Sequence, residues 1–474
     1  YLLVQELAKE GVTKESLGRE AFLERAWAWK NAYHGRITEQ MKRLGVSVDW
    51  TRERFTMDER LSRAVRTAFV QLYEEGLIYQ GEYMGNWCPG CQTVVSDLEV
   101  VHRDEAGQLW YLRYPLAGDS GRCLEVATTR PETMLGDTAV AVHPQDQRYR
   151  HWVGQTLRLP IVGSLIPVVA DEAVDPAFGT GAVKVTPAHD PADYEIGKRH
   201  GLSVVDVMNP DGTMSAAAGK FAGLDRAEAR RQVLAELEVS GALARSEPYS
   251  HSVGHCQRSD DAIEPRISMQ WWITIKPLAE AALQAVRDGR ITIMPDRFTK
   301  VYYNWLENIH DWAISRQIWW GHRLPVWHCR ACKRVIVQVE TPSVCPACGS
   351  SALEQEPDTL DTWFSSGLWP FSTLGWPERT EDLDYFYPTS VMETGYDILF
   401  FWVARMVMLG LHFMGDVPFS DVYLHGMVRD AFGQKMSKTK GNVVDPLDLM
   451  DQFGTDALRF SMVTGNSPGS DLRF

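Results

Sequence analysis

The sequence predicts an α/β protein in which a mixed helix-and-strand body is interrupted by a β-rich insert. Three observations predict it. Leu61, Val65, Phe69 and Leu72 recur at spacings of three and four, the period of one helix face. From about residue 108 to 250, short β-branched runs broken by glycine and proline replace that pattern. Near the end, the apolar run Val422–Val428 leads into the basic string Lys435-Met436-Ser437-Lys438. A helix signalled by Asp445 as N-cap, Pro446 at the first position and Asp448 at the third then follows.

Taken in order, residues 1–80 read as helical, in Glu15–Arg43 and Met57–Tyr79, and Trp87-Cys88-Pro89-Gly90-Cys91 reads as a compact turn. The β-rich stretch contains candidate strands Cys123–Thr129, Thr138–Val142, Leu157–Val162, Ile166–Val169 and Gly181–Val185, with one helix at Ala227–Leu237. Cys123, inside a strand-like run, is expected in the core. Beyond 251 the chain is aromatic-rich and mixed. At 474 residues the chain exceeds a single core, so roughly two to four domains are expected.

A hydrophobic content of 45% with 17 tryptophans indicates packed globular domains. The net charge of −14 excludes a wholly basic nucleic-acid binder and leaves local basic patches open. No membrane span is expected, because the apolar stretch Val391–Gly410 is interrupted by Asp397 and Arg405. Leu2–Glu10 lacks the basic start and apolar core of a signal peptide, and a cytoplasmic protein is expected.

Of the eight cysteines, six form C-x-x-C pairs, which in a long chain without a secretory signal reads as metal ligation rather than disulfides. Cys329, Cys332, Cys345 and Cys348 have the spacing of a closed tetrahedral zinc site, which is structural because no position is left open. Cys88 and Cys91 lack a nearby second pair. Cys256, with His255 beside it, lies across the insert, and the two ends of a looped-out insert would meet there to share a second metal. Ser259 stands where a fourth cysteine is expected, so a metal-free knuckle is the competing reading.

Lys435 and Lys438 set two ammonium groups three residues apart, with Ser437 beside the second. Between a strand and a helix they suit a polyphosphate, neutralising charge that builds as a phosphoanhydride breaks. This string resembles the second signature motif of the class I aminoacyl-tRNA synthetases. Longer strings resemble the same family over close to the whole chain: Val126–Val142, Gly179–His200, Leu306–His322, Asp361–Pro377 and Thr394–Arg405. Together they are similar to its valyl branch.

The resemblance implies a doubly wound, Rossmann-type catalytic domain interrupted by a β-rich editing domain and carrying a zinc knuckle. The implied layout is a catalytic segment with the Cys88/Cys91 knuckle at 1–107 and the editing insert at 108–250. The catalytic domain then continues over 251–424, with the zinc knuckle at 327–350, and the signature loop and a helical junction occupy 425–474. The family's H-x-G-H motif and anticodon-binding domain are expected outside these residues. On that expectation this stretch alone would not form an adenylate and would at most retain editing. The resemblance further implies ATP-dependent activation of valine, with Mg2+, transfer to tRNA(Val), hydrolysis of threonyl-tRNA(Val), and a monomer.

Residue by residue, it places His425, Gly426, Gly395, Asp397, Lys435, Met436, Ser437 and Lys438 at ATP. Gly426 would let the backbone approach the nucleotide closely. Trp363, Ile398 and Trp402 would wall a small apolar slot for valine. In the insert, Arg130 and Lys184 would hold the tRNA 3′ end, Thr133 and Thr186 would orient a hydroxyl or water, and Phe178 would stack on the terminal adenine. Asp190 and Asp193 would hold the amino group and the threonine hydroxyl or attacking water. Read from the residues alone, Asp190/Asp193 is equally a helix N-terminal cap pair. A stand-alone tRNA deacylase and a zinc-stabilised RNA-binding paralogue are the rival functions. A deacylase would have no use for the intact Lys435–Lys438 string, and that string with Trp363 and Asp397 counts against the paralogue.

Overall fold

The computed structural model describes residues 2–434, 436, 442–464 and 467–473. The chain divides into two compact units, one formed by residues 81–270 and the other by residues 2–80 with 271–474. The joins fall inside two strands, Ile78–Cys88 and Glu264–Ile273.

After two short N-terminal helices, the second unit carries helices α1 (Arg19–Arg43) and α2 (Glu59–Glu74). Asp58 caps α2 by accepting from Leu61 N at 2.8 Å. The face anticipated from the spacing is the buried one: Leu61, Val65, Phe69 and Leu72 are all inside.

The intervening unit is built on a seven-stranded sheet. Its strands are β1 (Val100–Leu116), β2 (Asp119–Thr128), β3 (Ala139–Val142), β4 (Thr156–Arg158), β5 (Leu165–Ala170), β6 (Ala182–Val185) and β7 (Leu243–Cys256). Their order is β2-β1-β4-β5-β3-β6, with β7 also paired to β1. Helices α3 (Pro191–His200) and α4 (Arg226–Val239) complete it. Val233 and Leu237 of α4 join Leu112, Tyr114, Val126 and Val140 in one core.

The long β1–β7 ribbon, in register from Val100↔Cys256 to Tyr111↔Arg245 and shifted by a bulge at Leu112↔Leu243, is absent from the sequence reading. Its outer half is polar on both faces, so it carries no apolar alternation to detect. The compact unit spans residues 81–270, so Cys88 and Cys91 fall inside it. Cys123, expected in the core, is exposed on β2.

The second unit resumes with α5 (Lys276–Arg287) and β8 (Thr292–Met294). A three-stranded antiparallel knuckle follows, of β9 (Val326–Cys329), β10 (Val335–Val337) and β11 (Leu353–Gln355). Then come α6 (Thr362–Gly367), β12 (Thr389–Gly395), α7 (Ala404–Met414), β13 (Phe419–His425), α8 (Pro446–Phe453) and α9 (Thr455–Val463). Strands β8, β13 and β12 form a parallel sheet in that order. Val65 and Phe69 of α2, Ala282 of α5 and Val407 of α7 share its core.

The helical run Tyr396–Met414 has the length and hydropathy to cross a membrane. Its apolar residues are accounted for by packing: Ala404 to Gly410 are buried in the core of their unit.

Candidate functional sites

In the inserted unit, alternation along β6 puts Lys184 on the same side as Thr186 beyond the strand end. Lys184 is only 8% exposed. Its Nζ donates to Thr186 Oγ1 at 2.5 Å and to Thr133 Oγ1 at 3.0 Å, and lies 3.4 Å from Asp137 Oδ1. Thr186 Oγ1 donates to Asp137 Oδ1 at 2.6 Å, and Tyr114 OH donates to Asp137 Oδ2 at 2.6 Å. Burial pushes the Asp137 carboxyl up, against the opposing pull of Lys184.

Asp193, in the first turn of α3, accepts from Thr186 N at 2.8 Å. Burial pushes its carboxyl up to about 7. Asp190 is exposed and caps α3, accepting from Ala192 N at 2.8 Å and Asp193 N at 3.1 Å. The cap-pair reading therefore holds for Asp190, whereas Asp193 turns inward. Thr133, Lys184, Thr186 and Asp193 are thus brought together. The cluster offers a buried ammonium, two hydroxyls and a carboxyl titrating near neutrality, suited to orienting water or an ester carbonyl.

Arg130 is held differently from expectation. Its guanidinium donates to His189 O at 2.9 Å and pairs with Glu264. Glu264 also meets Arg226 at 3.3 Å, while Arg230 forks onto fully buried Glu132 at 2.7 and 2.8 Å. Arg130 is part of a buried ion network before any ligand arrives. Phe178 is 41% exposed and packs edge-on against Tyr249, with ring centroids 6.1 Å apart. No contact among the described residues links it to the Lys184 cluster.

The sequence reading missed Asp137, Tyr114, Glu132 and Glu264 as members of these networks. Asp137 and Glu132 lie within the Val126–Val142 string, yet only folding sets them under Lys184 and Arg230. His189 accepts from Val207 N at 3.0 Å, and burial holds its imidazole down at about 3, so it is a neutral structural acceptor.

In the second unit, Gly395 and His425 end adjacent parallel strands and pair in register. The carboxyl ends of such strands are where open α/β sheets bind ligands. A Cβ on Gly395 would lie 2.8 Å from Asp397 Oδ1 and 3.1 Å from Met427 Sδ, so glycine keeps this end compact. His425 is exposed, with Nδ1 2.7 Å from Gly426 O and Nε2 3.4 Å from Glu393.

Gly426 is approached closely by the chain's own backbone: a Cβ there would sit 1.7 Å from Ser470 O. The Ser470–Arg473 segment is fastened by Asp471, which accepts from Met427 N at 2.8 Å and Tyr396 OH at 3.0 Å and pairs with Arg429. Met436 is half-buried; Lys435, Ser437 and Lys438 lie outside the described residues. Asp445 caps α8 as anticipated, accepting from Leu447 N at 2.9 Å.

Trp363 and Trp402 are both half-buried. Trp363 lies on α6 and packs on Phe401, with centroids 5.1 Å apart. Trp402 Nε1 donates to Ser366 O of the same helix at 2.9 Å. Ile398, half-buried, closes the short 3-10 turn Tyr396–Ile398 just before.

Two thiol clusters stand out. Cys329, Cys332, Cys345 and Cys348 offer sulfurs all within 4.8 Å of one another. The Cys332 backbone N–H holds the Cys329 thiol down at about 6, which favours a ligating thiolate. In the other unit the sulfurs of Cys88, Cys91 and Cys256 likewise lie within 4.8 Å of one another. Here hydrogen bonds from Cys88 and Cys91 hold Cys256 well below the ordinary thiol range. His255 is not part of that cluster: its Nε2 lies 2.8 Å from Glu105 and its Nδ1 2.9 Å from Asp260 O. Neighbouring residues on a strand face opposite ways, so Cys256 pointing inward turns His255 outward. Ser259 Oγ lies 3.1 Å from Cys88 Sγ, beside the cluster. Both donor sets suit a thiophilic ion such as zinc.

The chain thus combines a parallel sheet, whose strand ends gather Gly395 and His425, with a separate β-rich unit, an α/β architecture. The chain belongs to the class I tRNA synthetases (I, L, M and V), whose family model matches residues 2–474. Among individual relatives it is similar to the valine–tRNA ligase of Symbiobacterium thermophilum, with 60% identity over 464 residues. That match covers 98% of this chain and 51% of the relative. The valine–tRNA ligase of Carboxydothermus hydrogenoformans is 59% identical over 470 residues, 99% of this chain and 53% of the relative. The chain spans about half the length of the curated relatives it matches. Among solved structures, a ternary complex of Agrobacterium radiobacter LeuRS covers 99% of this chain and 63% of that one, at 19% identity and a TM-score of 0.48.

Proposed function

We propose that this chain is the catalytic and editing portion of a valine–tRNA ligase, which activates valine with ATP, transfers it to tRNA(Val) and hydrolyses threonyl-tRNA(Val). The observation that carries the synthetic half is the in-register pairing of Gly395 with His425 at the carboxyl ends of parallel strands. ATP with Mg2+ would bind there, at Gly395, Asp397, His425, Gly426 and the Lys435–Lys438 string, whose ammonium groups stabilise the departing pyrophosphate. Valine would enter between Trp363, Ile398 and Trp402.

Such an apolar slot excludes larger side chains but rejects threonine, an isostere bearing a hydroxyl, by only ~10²-fold; valyl enzymes are the standard illustration of that limit. A second, polar site removes the error. The Lys184–Thr186–Asp193 cluster supplies it: Lys184 and Thr186 orient the ester and water, and Asp193 holds the amino group or the threonine hydroxyl. Arg130 and Phe178 would meet the tRNA 3′ end, Arg130 through what its ion network leaves free. Hydrolysis proceeds by oriented water, with no covalent intermediate.

Zinc would be held by Cys329, Cys332, Cys345 and Cys348, and a second ion by Cys88, Cys91, Cys256 and Ser259. Each would cross-link its knuckle without entering the chemistry. The same reading implies a cytoplasmic monomer. Deacylation by the 474-residue chain tests it: threonyl-tRNA(Val) should lose its ester faster than valyl-tRNA(Val). Equal rates would remove the editing assignment. ATP binding separates the ligase from a stand-alone deacylase, which has no use for the nucleotide.

A further inference from the structure

We propose that Arg405 is the positioning residue that sets the width of the slot between Trp363 and Trp402, and with it the preference for a valine-sized side chain. This rests on the assignment of that slot to the amino acid. Neither Trp363 nor Trp402 is held by its own helix alone. Leu399–Val403 forms a π-helical turn, entered from the 3-10 turn Tyr396–Ile398 and left into α7. A π turn holds one residue more than an α turn and recurs at functional sites. It needs support, because its widened ladder is weaker than the α-helix it interrupts.

Arg405 supplies that support. Its side chain is buried, 4% exposed, and Nη1 donates to the π-turn carbonyl Phe401 O at 3.0 Å. The guanidinium lies over the Trp312 ring, 4.1 Å from its centroid. Trp312 Nε1 donates to Asp361 Oδ2 at 2.9 Å, the same oxygen that pairs with Arg316 at 3.0 Å. The other carboxylate oxygen of Asp361 accepts from Trp363 N at 3.3 Å and caps α6.

One continuous chain of contacts therefore runs from the π turn bearing Trp402, through Arg405, Trp312 and Asp361, to the helix bearing Trp363. The Trp402–Ser366 hydrogen bond closes the loop. Gly367 lets α7 press onto α6, since a Cβ there would lie 2.7 Å from Leu409 Cδ1. With α7 locked in the core, relaxation of the π turn to α geometry would drop one residue from the turn. That rotates the preceding residues by ~100° about the axis and moves Ile398 relative to Trp363.

The test is calorimetric titration of the 474-residue chain with valine and with isoleucine. Wild type should favour valine by about tenfold or more, the discrimination typical of one methylene. Arg405→Leu should bind both within roughly threefold of each other, a ratio that global loosening alone would not produce. Leu72→Ala, a core truncation in α2, controls for loosening and should keep the wild-type ratio. Trp312→Phe keeps a ring under the guanidinium but removes the N–H to Asp361; it should narrow the ratio partly, and it carries the test if Arg405→Leu does not fold. An unchanged ratio in a folded Arg405→Leu (or, failing that, in Trp312→Phe) overturns the proposal, as does an equal narrowing in Leu72→Ala. A wild-type chain that binds neither amino acid, or a Trp402→Ala variant with unaltered valine binding, overturns the slot assignment itself and the proposal with it.

Discussion

The backbone N–H of Thr186 donates to Asp193 Oδ2 at 2.8 Å, so the end of β6 is stitched to the first turn of α3 by a carboxyl that burial pushes up to about 7. The folded protein holds the Asp193 proton more tightly than the unfolded chain does. Stability is therefore greatest below the unfolded pKa and falls as pH rises toward 7. Asp193→Asn keeps an acceptor for Thr186 and removes the titration. Its stability relative to wild type should rise between pH 4 and pH 8, by an amount on the order of a few kcal/mol. Urea midpoints at the two pH values measure this, and a pH-independent difference would disprove it. Asp193→Ala lacks the acceptor and should lower threonyl-tRNA(Val) hydrolysis; an unchanged rate removes Asp193 from that role.

Lys184 and Asp137 form a buried pair, and removing one partner strands the other. Lys184→Met should cost about 3–5 kcal/mol, because Asp137 keeps its burial and loses its cation. The double variant Lys184→Met/Asp137→Asn should recover a large part of that loss. Denaturant unfolding of wild type, Lys184→Met, Asp137→Asn and the double variant completes the cycle.

Cys345→Ser should lower bound zinc by one equivalent per chain. It should also raise hydrogen exchange across the β9–β11 knuckle, since a closed thiolate site contributes folding energy locally. Exposed Cys123, changed to serine, should alter neither. Elemental analysis with exchange mass spectrometry reads both outcomes.

Gly426→Ala places a methyl group where Ser470 O already sits, 1.7 Å away. The Ser470–Arg473 segment should detach. Protection of the Leu472 amide, which donates to Met427 O at 2.9 Å, should then fall. ATP affinity should fall with it, because Asp471 no longer fixes the backbone after His425. Retained Leu472 protection would show that the segment can move aside intact.

Features carried by a few consecutive residues were legible. The α2 face, the Asp445 cap and the short strands β3, β5 and β6 match their signals because helix and strand periods act over neighbouring side chains. The β1–β7 ribbon was not legible, because a polar two-stranded arm buries little on either face and leaves no periodic trace. The Lys184 cluster was half legible. Thr133, Asp137, Lys184, Thr186 and Asp193 lie in strings with family resemblance, yet Asp137, and Tyr114 outside them, which complete the hydrogen bonding, stood out by neither spacing nor type.

Local chemistry in the chain was enough to determine which side chains are available: two thiol sets, an N-capping Asp190, apolar tryptophans and a buried-strand lysine. The tertiary structure decided which of them meet. It set Ser259 rather than His255 beside Cys88, and gave Arg130 to Glu264. The physical reason is range. A cap or a strand period is set within a few residues, whereas partners a hundred or more positions apart are selected by sheet register and by which face of a strand the core leaves available.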